Sequence, residues 1–276
     1  MLTLPPNRTR SHRRPSAPVR ATGIVCALLL TLTPVSAQVV DLAYDGFDYA
    51  AGALTGRSGG TGWSTGWIRD YGSGATFNVN TNGLTYSGLT TTGGRLAWGS
   101  GGNGISENSR TLPLVDEGVV YIQFLAQFGS SSGGGTPNLR LFKEGALTGG
   151  IGGNGGTFGG VFSILDTTLN PASNGSSSSA TSLSTLSLVV TRIDYVNQST
   201  SLYLNPNLAT FDYLNPGTPQ ATYAGLAPAF DQIALYSRSP ASFDELRVIS
   251  AVPEPAEVLP FVAGVLAWWG WMRRTR

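Results

Sequence analysis

From Gly118 to Phe128 the chain alternates with period two. Val120, Ile122, Phe124, Ala126 and Phe128 share one side, and Tyr121, Gln123 and Gln127 lie on the other with Val119 and Leu125. Only an extended strand gathers such a set on one face, so this segment commits the chain to a sheet with one side turned to a core. The same spacing recurs at 138–144, where Leu139, Leu141 and Lys143 oppose Arg140, Phe142 and Glu144. Residues 183–196 and 200–204 predict two strands joined by a polar turn through Asn197-Gln198-Ser199, and 230–236 and 243–249 predict two more. Outside the two ends no window carries a 3.6-residue apolar stripe. The 37 glycines act in the same direction, because glycine weakens helices and supplies turns. The tracts GSSSGGG (129–135), GGIGGNGGTFGG (149–160) and SNGSSSSA (173–180) read as exposed loops, since they carry too little apolar surface to bury. They hold no GxxxxGK[ST] phosphate cradle.

The two ends differ from the body. Residues 1–37 carry Arg8, Arg10, Arg13, Arg14 and Arg20 with no acid, then the apolar stretch 24–32, Pro34 and the small residues Val35-Ser36-Ala37. This predicts a secretory signal peptide cut between Ala37 and Gln38, with the Sec machinery and signal peptidase as partners. Its apolar part is far short of the ~20 residues a spanning helix needs. At the other end, Pro253-Glu254-Pro255 precedes a fourteen-residue apolar run, 258–271, and then Arg273, Arg274 and Arg276. As a helix that run would be about 21 Å long against ~30 Å of hydrocarbon, which predicts a marginal transmembrane helix. Trp268, Trp269 and Trp271 would lie at the interface, and the arginines would stay cytoplasmic.

This tail resembles the PEP-CTERM sorting signal of Gram-negative bacteria that make exopolysaccharide, matching its Pro-Glu-Pro motif, apolar helix and Arg-rich end. The resemblance implies processing by an exosortase near Pro253-Glu254-Pro255, a transient inner-membrane anchor, and delivery to the cell surface or extracellular matrix. The chain then divides into a signal peptide (1–37), a body (38–250) and a sorting signal (251–276).

Within the body, Tyr44-Asp45-Gly46-Phe47-Asp48-Tyr49, followed by Ser58-Gly59-Gly60-Thr61-Gly62-Trp63 and Trp67, resembles the opening of secreted bacterial concanavalin A-like (LamG-type) domains. The segments 188–195 with 201–206, then 230–233 and 242–248, resemble their central hairpin and closing strands. The implied fold is all-β: a jelly-roll sandwich of two antiparallel sheets with the first and last strands paired.

The chemistry available to the body is narrow. The only Cys, Cys26, and the only His, His12, lie in the first 37 residues. A Ser-His-Asp triad, a Cys-His pair, a His/Cys zinc site and a disulfide framework are thereby excluded from 38–252. Nine Lys/Arg against fourteen Asp/Glu give that segment a net charge of −5, which excludes a nucleic-acid binder. Retaining glycosidases of this fold carry a Glu-x-Asp-x-x-Glu strand that sets two carboxylates about 5 Å apart. None of Glu107, Glu117, Glu144 and Glu245 has an acid two or four residues away, and the adjacent Asp244 and Glu245 should face opposite sides of a strand. The expectation is a non-catalytic protein whose body is adhesive, structural or glycan-binding, extracellular polysaccharide being a partner; a secreted glycoside hydrolase or lyase is the alternative. Trp63, Trp67 and Trp98, the only Trp of 38–252, are candidates for stacking on a sugar or for core packing. Asp45, Asp48 and Asp244 are candidates for a calcium site or for capping turns; no other cofactor is expected.

Overall fold

The computed structural model describes residues 38–99, 104–129, 137–153, 160–171 and 178–252. The predicted signal peptide and residues 253–276 of the predicted sorting signal lie outside them. Sixteen strands among the described residues build two antiparallel sheets. The larger runs β14 (Ala221–Ala224), β13 (Ser199–Leu204), β12 (Ser187–Asp194), β7 (Val119–Phe128), β16 (Ala241–Val252), β5 (Arg95–Gly99), β4 (Thr76–Asn80), β2 (Gly52–Ala53). On the flank of β16 that carries β5, its second half pairs with β1 (Gln38–Asp45), from Gln38 opposite Val252 to Asp45 opposite Leu246. The smaller sheet runs β11 (Ser178–Ser182), β10 (Val161–Leu165), β9 (Ala146–Gly153), β8 (Asn138–Lys143), β15 (Phe230–Ser237), β6 (Ile105–Val115), β3 (Ile68–Ser73). This is the jelly-roll sandwich expected, first and last strands paired.

The period-two pattern does what it predicts. Val120, Ile122, Phe124, Ala126 and Phe128 all face the core with Phe77, Phe243 and Leu96 from the same sheet. Leu139, Leu141, Phe162 and Ile233 come from the other sheet. Phe128 is the pivot: its ring centroid lies 5.0 Å from Phe243 and 5.6 Å from Phe162 of the opposite sheet. Each such ring contributes roughly 1.5–3 kcal/mol by leaving water.

The opposite face of the larger sheet is covered by the chain itself. Tyr121, Leu125, Leu188, Val190, Tyr203 and Ile249 form a second apolar cluster with Leu84, and Tyr86, Leu89, Leu208, Phe211 and Tyr213 pack onto it from two long loops, 81–94 and 205–220.

Three expectations are corrected. The tract 149–160 is not all loop: its first five residues belong to β9, whose glycines are buried beside β8 and β10. Ladder hydrogen bonds, not side-chain area, hold it there. Gly152 sits at φ +145°, where an added Cβ would come 2.7 Å from the Asn138 Cα. Likewise Ser178–Ser182, partly inside the serine tract, forms the edge strand β11. Leu183, predicted as strand, instead lies after β11 as a buried residue (3% exposed) ahead of β12.

Candidate functional site

The motif Tyr44–Tyr49 proves to be a structural hub. Asp45, at the end of β1, is 1% exposed and forms an ion pair of 2.6 Å with Arg110 of β6 in the other sheet. Its Oδ2 also accepts the Tyr49 hydroxyl (2.7 Å) and the Trp67 Nε1–H (2.9 Å), and Oδ1 accepts the Phe47 N–H. Arg110 donates further to the carbonyls of Thr65 and Gly59. Burial and the adjacent carboxylate hold the Tyr49 phenol above its ordinary pKa. The glycine-rich segment that follows is pressed against β1: a Cβ at Gly62 would sit 1.8 Å from the Leu42 carbonyl oxygen.

This hub decides the fate of two of the three tryptophans. Trp67 is 1% exposed and belongs to the core. Trp63 donates its indole N–H to the Tyr44 carbonyl, and the Arg110 guanidinium lies 4.9 Å from its ring centroid. Trp67 is therefore corrected from a sugar platform to a packing residue, while Trp63 is half-buried beside it with its N–H held by the backbone.

Asp244 and Glu245 overturn a simple strand rule. The register of β16 slips between Asp244 and Arg247, and Glu245 takes φ +52°, so a bulge re-aims the pair. Both carboxylates, fully buried, hold the same loop: Asp244 Oδ2 accepts the Leu84 N–H (2.7 Å), and Glu245 accepts the Thr92 N–H and the Tyr44 hydroxyl. Burial pushes Asp244 up to about 7, partly offset by the Leu84 and Glu245 N–H bonds. The calcium expectation is corrected by the same geometry. Asp45 is committed to Arg110, Asp244 to the 81–94 loop, and Asp48 is exposed; among the described residues no three carboxylates, His or Cys gather to hold a metal ion.

Glu107 of β6 faces outward from the smaller sheet, 3.1 Å from Arg140, whose guanidinium lies 3.5 Å from the Tyr236 ring centroid. Burial raises its pKa, with Arg140 opposing. Each carboxylate of this body that is both buried and acidic is thus already paired or capped, including Asp194, whose Oδ1 caps the turn between β12 and β13.

Trp98 is different. It stands near the end of β5 with part of its ring on the core, and its Nε1 is buried without a hydrogen-bond partner among the described residues. It lines a groove of about 330 Å³ with Gln127, Phe128, Ser184, Pro240 and Ser242. The sheet register explains the grouping: Ser242 of β16 lies opposite Ala97 of β5 on one side and Gln127 of β7 on the other. An indole, an amide and two hydroxyls around an uncharged groove can stack on a sugar ring and exchange hydrogen bonds with its hydroxyls. Of these, sequence reasoning singled out Trp98. Gln127 was legible only as an outward position of an alternating strand, and Ser184 and Ser242 carried no signal.

No family model matches the chain, and no curated protein matches it. Among solved structures it is similar to a sialidase (11% identity, TM-score 0.43), covering 76% of this chain and 19% of that one. It is also similar to a cellulose-induced protein, Cip1 (12%, 0.41), covering 66% of this chain and 90% of that one. A third is the CBM22-1 xylan-binding domain from Paenibacillus barcinonensis Xyn10C (10%, 0.35), covering 79% of this chain and 100% of that one. At these values the likeness carries nothing about ligand or chemistry.

Proposed function

We propose that the chain is an exported, non-catalytic protein of the cell surface or extracellular matrix, sorted by an exosortase, whose body binds glycan in the Trp98 groove. The observation that carries this reading is the uncharged groove itself, in which the half-buried Trp98 lies with Gln127, Ser184 and Ser242. The non-catalytic reading is supported by Glu245, both of whose oxygens accept hydrogen bonds, and by Glu107, which Arg140 neutralises.

The test is retention on immobilised polysaccharides by the full chain and by Trp98→Ala. Loss of a stacking ring should weaken retention about tenfold, the equivalent of about 1.4 kcal/mol. Equal retention by both proteins would remove the groove from consideration, and release of reducing ends or unsaturated sugars would replace the binding reading by an enzymatic one.

A further inference from the structure

A second cavity lies against the Trp98 groove. It measures about 450 Å³ and is lined by Arg69, Gly74, Ala75, Thr76, Asn78 and Gly99, where the hairpin between β3 and β4 passes from one sheet to the other. The two are neighbours by register: Asn78 lines this cleft and its cross-strand partner Ala97 lines the groove, while the consecutive residues Trp98 and Gly99 line the groove and the cleft respectively.

Arg69 is the unusual member. It forms no ion pair with any carboxylate among the described residues, in a body whose net charge is −5. It is exposed on β3 but tethered. Its Nη2 donates to the Ala75 carbonyl at 2.7 Å, and its guanidinium lies over Gly72, where a Cβ would come 2.2 Å from Nη2 and 2.6 Å from Cζ. On the opposite wall a Cβ at Gly99 would come 2.5 Å from Asn78 Nδ2. Two glycines therefore keep room for a tethered guanidinium and an amide donor at one cleft. A planar fork with unspent N–H groups is the group that recognises a carboxylate or sulfate in two-point fashion.

We propose that the Arg69 cleft is the anion subsite of the Trp98 groove, so that the preferred ligand is an acidic polysaccharide: one sugar sits on Trp98 and a carboxylate or sulfate on a nearby unit meets Arg69 and Asn78. This rests on the glycan-binding reading of the groove and adds the substrate class.

The experiment measures binding of the full chain to dextran, dextran sulfate and alginate, over a range of NaCl, for the unmutated protein, Arg69→Gln, Arg69→Lys and Trp98→Ala. The unmutated protein should hold one or both anionic polymers at least about tenfold more tightly than dextran, with the advantage shrinking as salt rises. Whichever anionic polymer is favoured identifies the group as sulfate or carboxylate. Arg69→Gln should abolish that advantage while leaving dextran binding and the melting temperature unchanged, and Arg69→Lys should restore part of it. Binding of dextran as tight as of both anionic polymers, or an advantage that survives Arg69→Gln, overturns the anion subsite while a Trp98→Ala loss on dextran still upholds the groove. If Trp98→Ala changes nothing on any of the three polymers, the groove reading falls and the proposal with it.

Discussion

At the scale of single residues, the Asp45–Arg110 pair ties the first strand of one sheet to β6 of the other with both side chains out of water. Removing one partner leaves the other charge buried and uncompensated. Asp45→Asn should therefore cost roughly 3–5 kcal/mol, measured by chemical denaturation at constant m-value. A loss below about 1 kcal/mol, the range of exposed pairs, would mean that the pair is solvated in solution. Asp244 makes the complementary case. Its pKa rises from an ordinary 3.8 to about 7 in the folded chain, so between those values the native state keeps a proton that the unfolded chain has lost. Stability should fall as pH rises through that window, the contribution being fully spent above pH 7. The groups facing Asp244 are Glu245, Arg95 and the Leu84 N–H. Asp244→Asn keeps an acceptor for one of the Leu84 and Glu245 N–H groups but cannot ionise. It should flatten the pH 4–7 slope and raise the melting temperature at pH 8 by roughly 2–4 °C or more, the shift that about 1 kcal/mol gives at this size. Thermal melts across pH 4.5–8 check both. None of these roles could be read from residue type alone. Asp45 was visible as a motif residue, but Arg110, which decides what Asp45 and both neighbouring tryptophans do, lies 65 residues further along the chain.

At the scale of elements, the sequence was most legible where apolar residues alternate and least where glycine or serine replaces them. β7, β8, β13, β15 and β16 follow from side-chain pattern, because their inward positions bury area that their neighbours cannot. β9 and β11 are held by backbone ladders and close approach, which leave no hydrophobic trace in the sequence. The bulge at Glu245 was hidden for the same reason, since an adjacent acid pair looks the same on a regular strand and on a bulged one. The 205–220 loop shows what an element without regular structure can do. Phe211 and Tyr213 lie edge-on to Tyr121 and Tyr203, with Tyr121–Tyr213 centroids 5.0 Å apart, and the Tyr213 hydroxyl donates to Gln123 Oε1 at 2.7 Å. The Tyr121 hydroxyl donates back to the Tyr213 carbonyl. Tyr213→Ala deletes the ring contact and one of these two bonds. It should lower global stability by roughly 1–3 kcal/mol and speed limited proteolysis within 205–220 while sparing the rest of the sandwich. Unchanged cleavage would show that Phe211 and the local turns hold the loop by themselves.

At the scale of the whole molecule, the body and the two ends answer different questions. All sixteen strands among the described residues lie between Gln38 and Val252, and those two residues are register partners on β1 and β16. Trimming after Ala37 and near Pro253 would consequently remove no described strand and would leave both new termini side by side on the paired strands β1 and β16. A sandwich whose terminal strands pair with each other can lose segments beyond both strands without losing a described ladder. The expected outcome, in a Gram-negative host that carries an exosortase, is a released protein beginning at Gln38 and ending close to the Pro253-Glu254-Pro255 motif, read by intact mass spectrometry. Its thermal melt should match that of the unprocessed chain within about 1 °C, because every described strand and core residue lies within 38–252. Released protein that still carries Arg276 would overturn exosortase processing. A lower melting temperature in the trimmed form would show that the ends contribute to the fold as well as to its address.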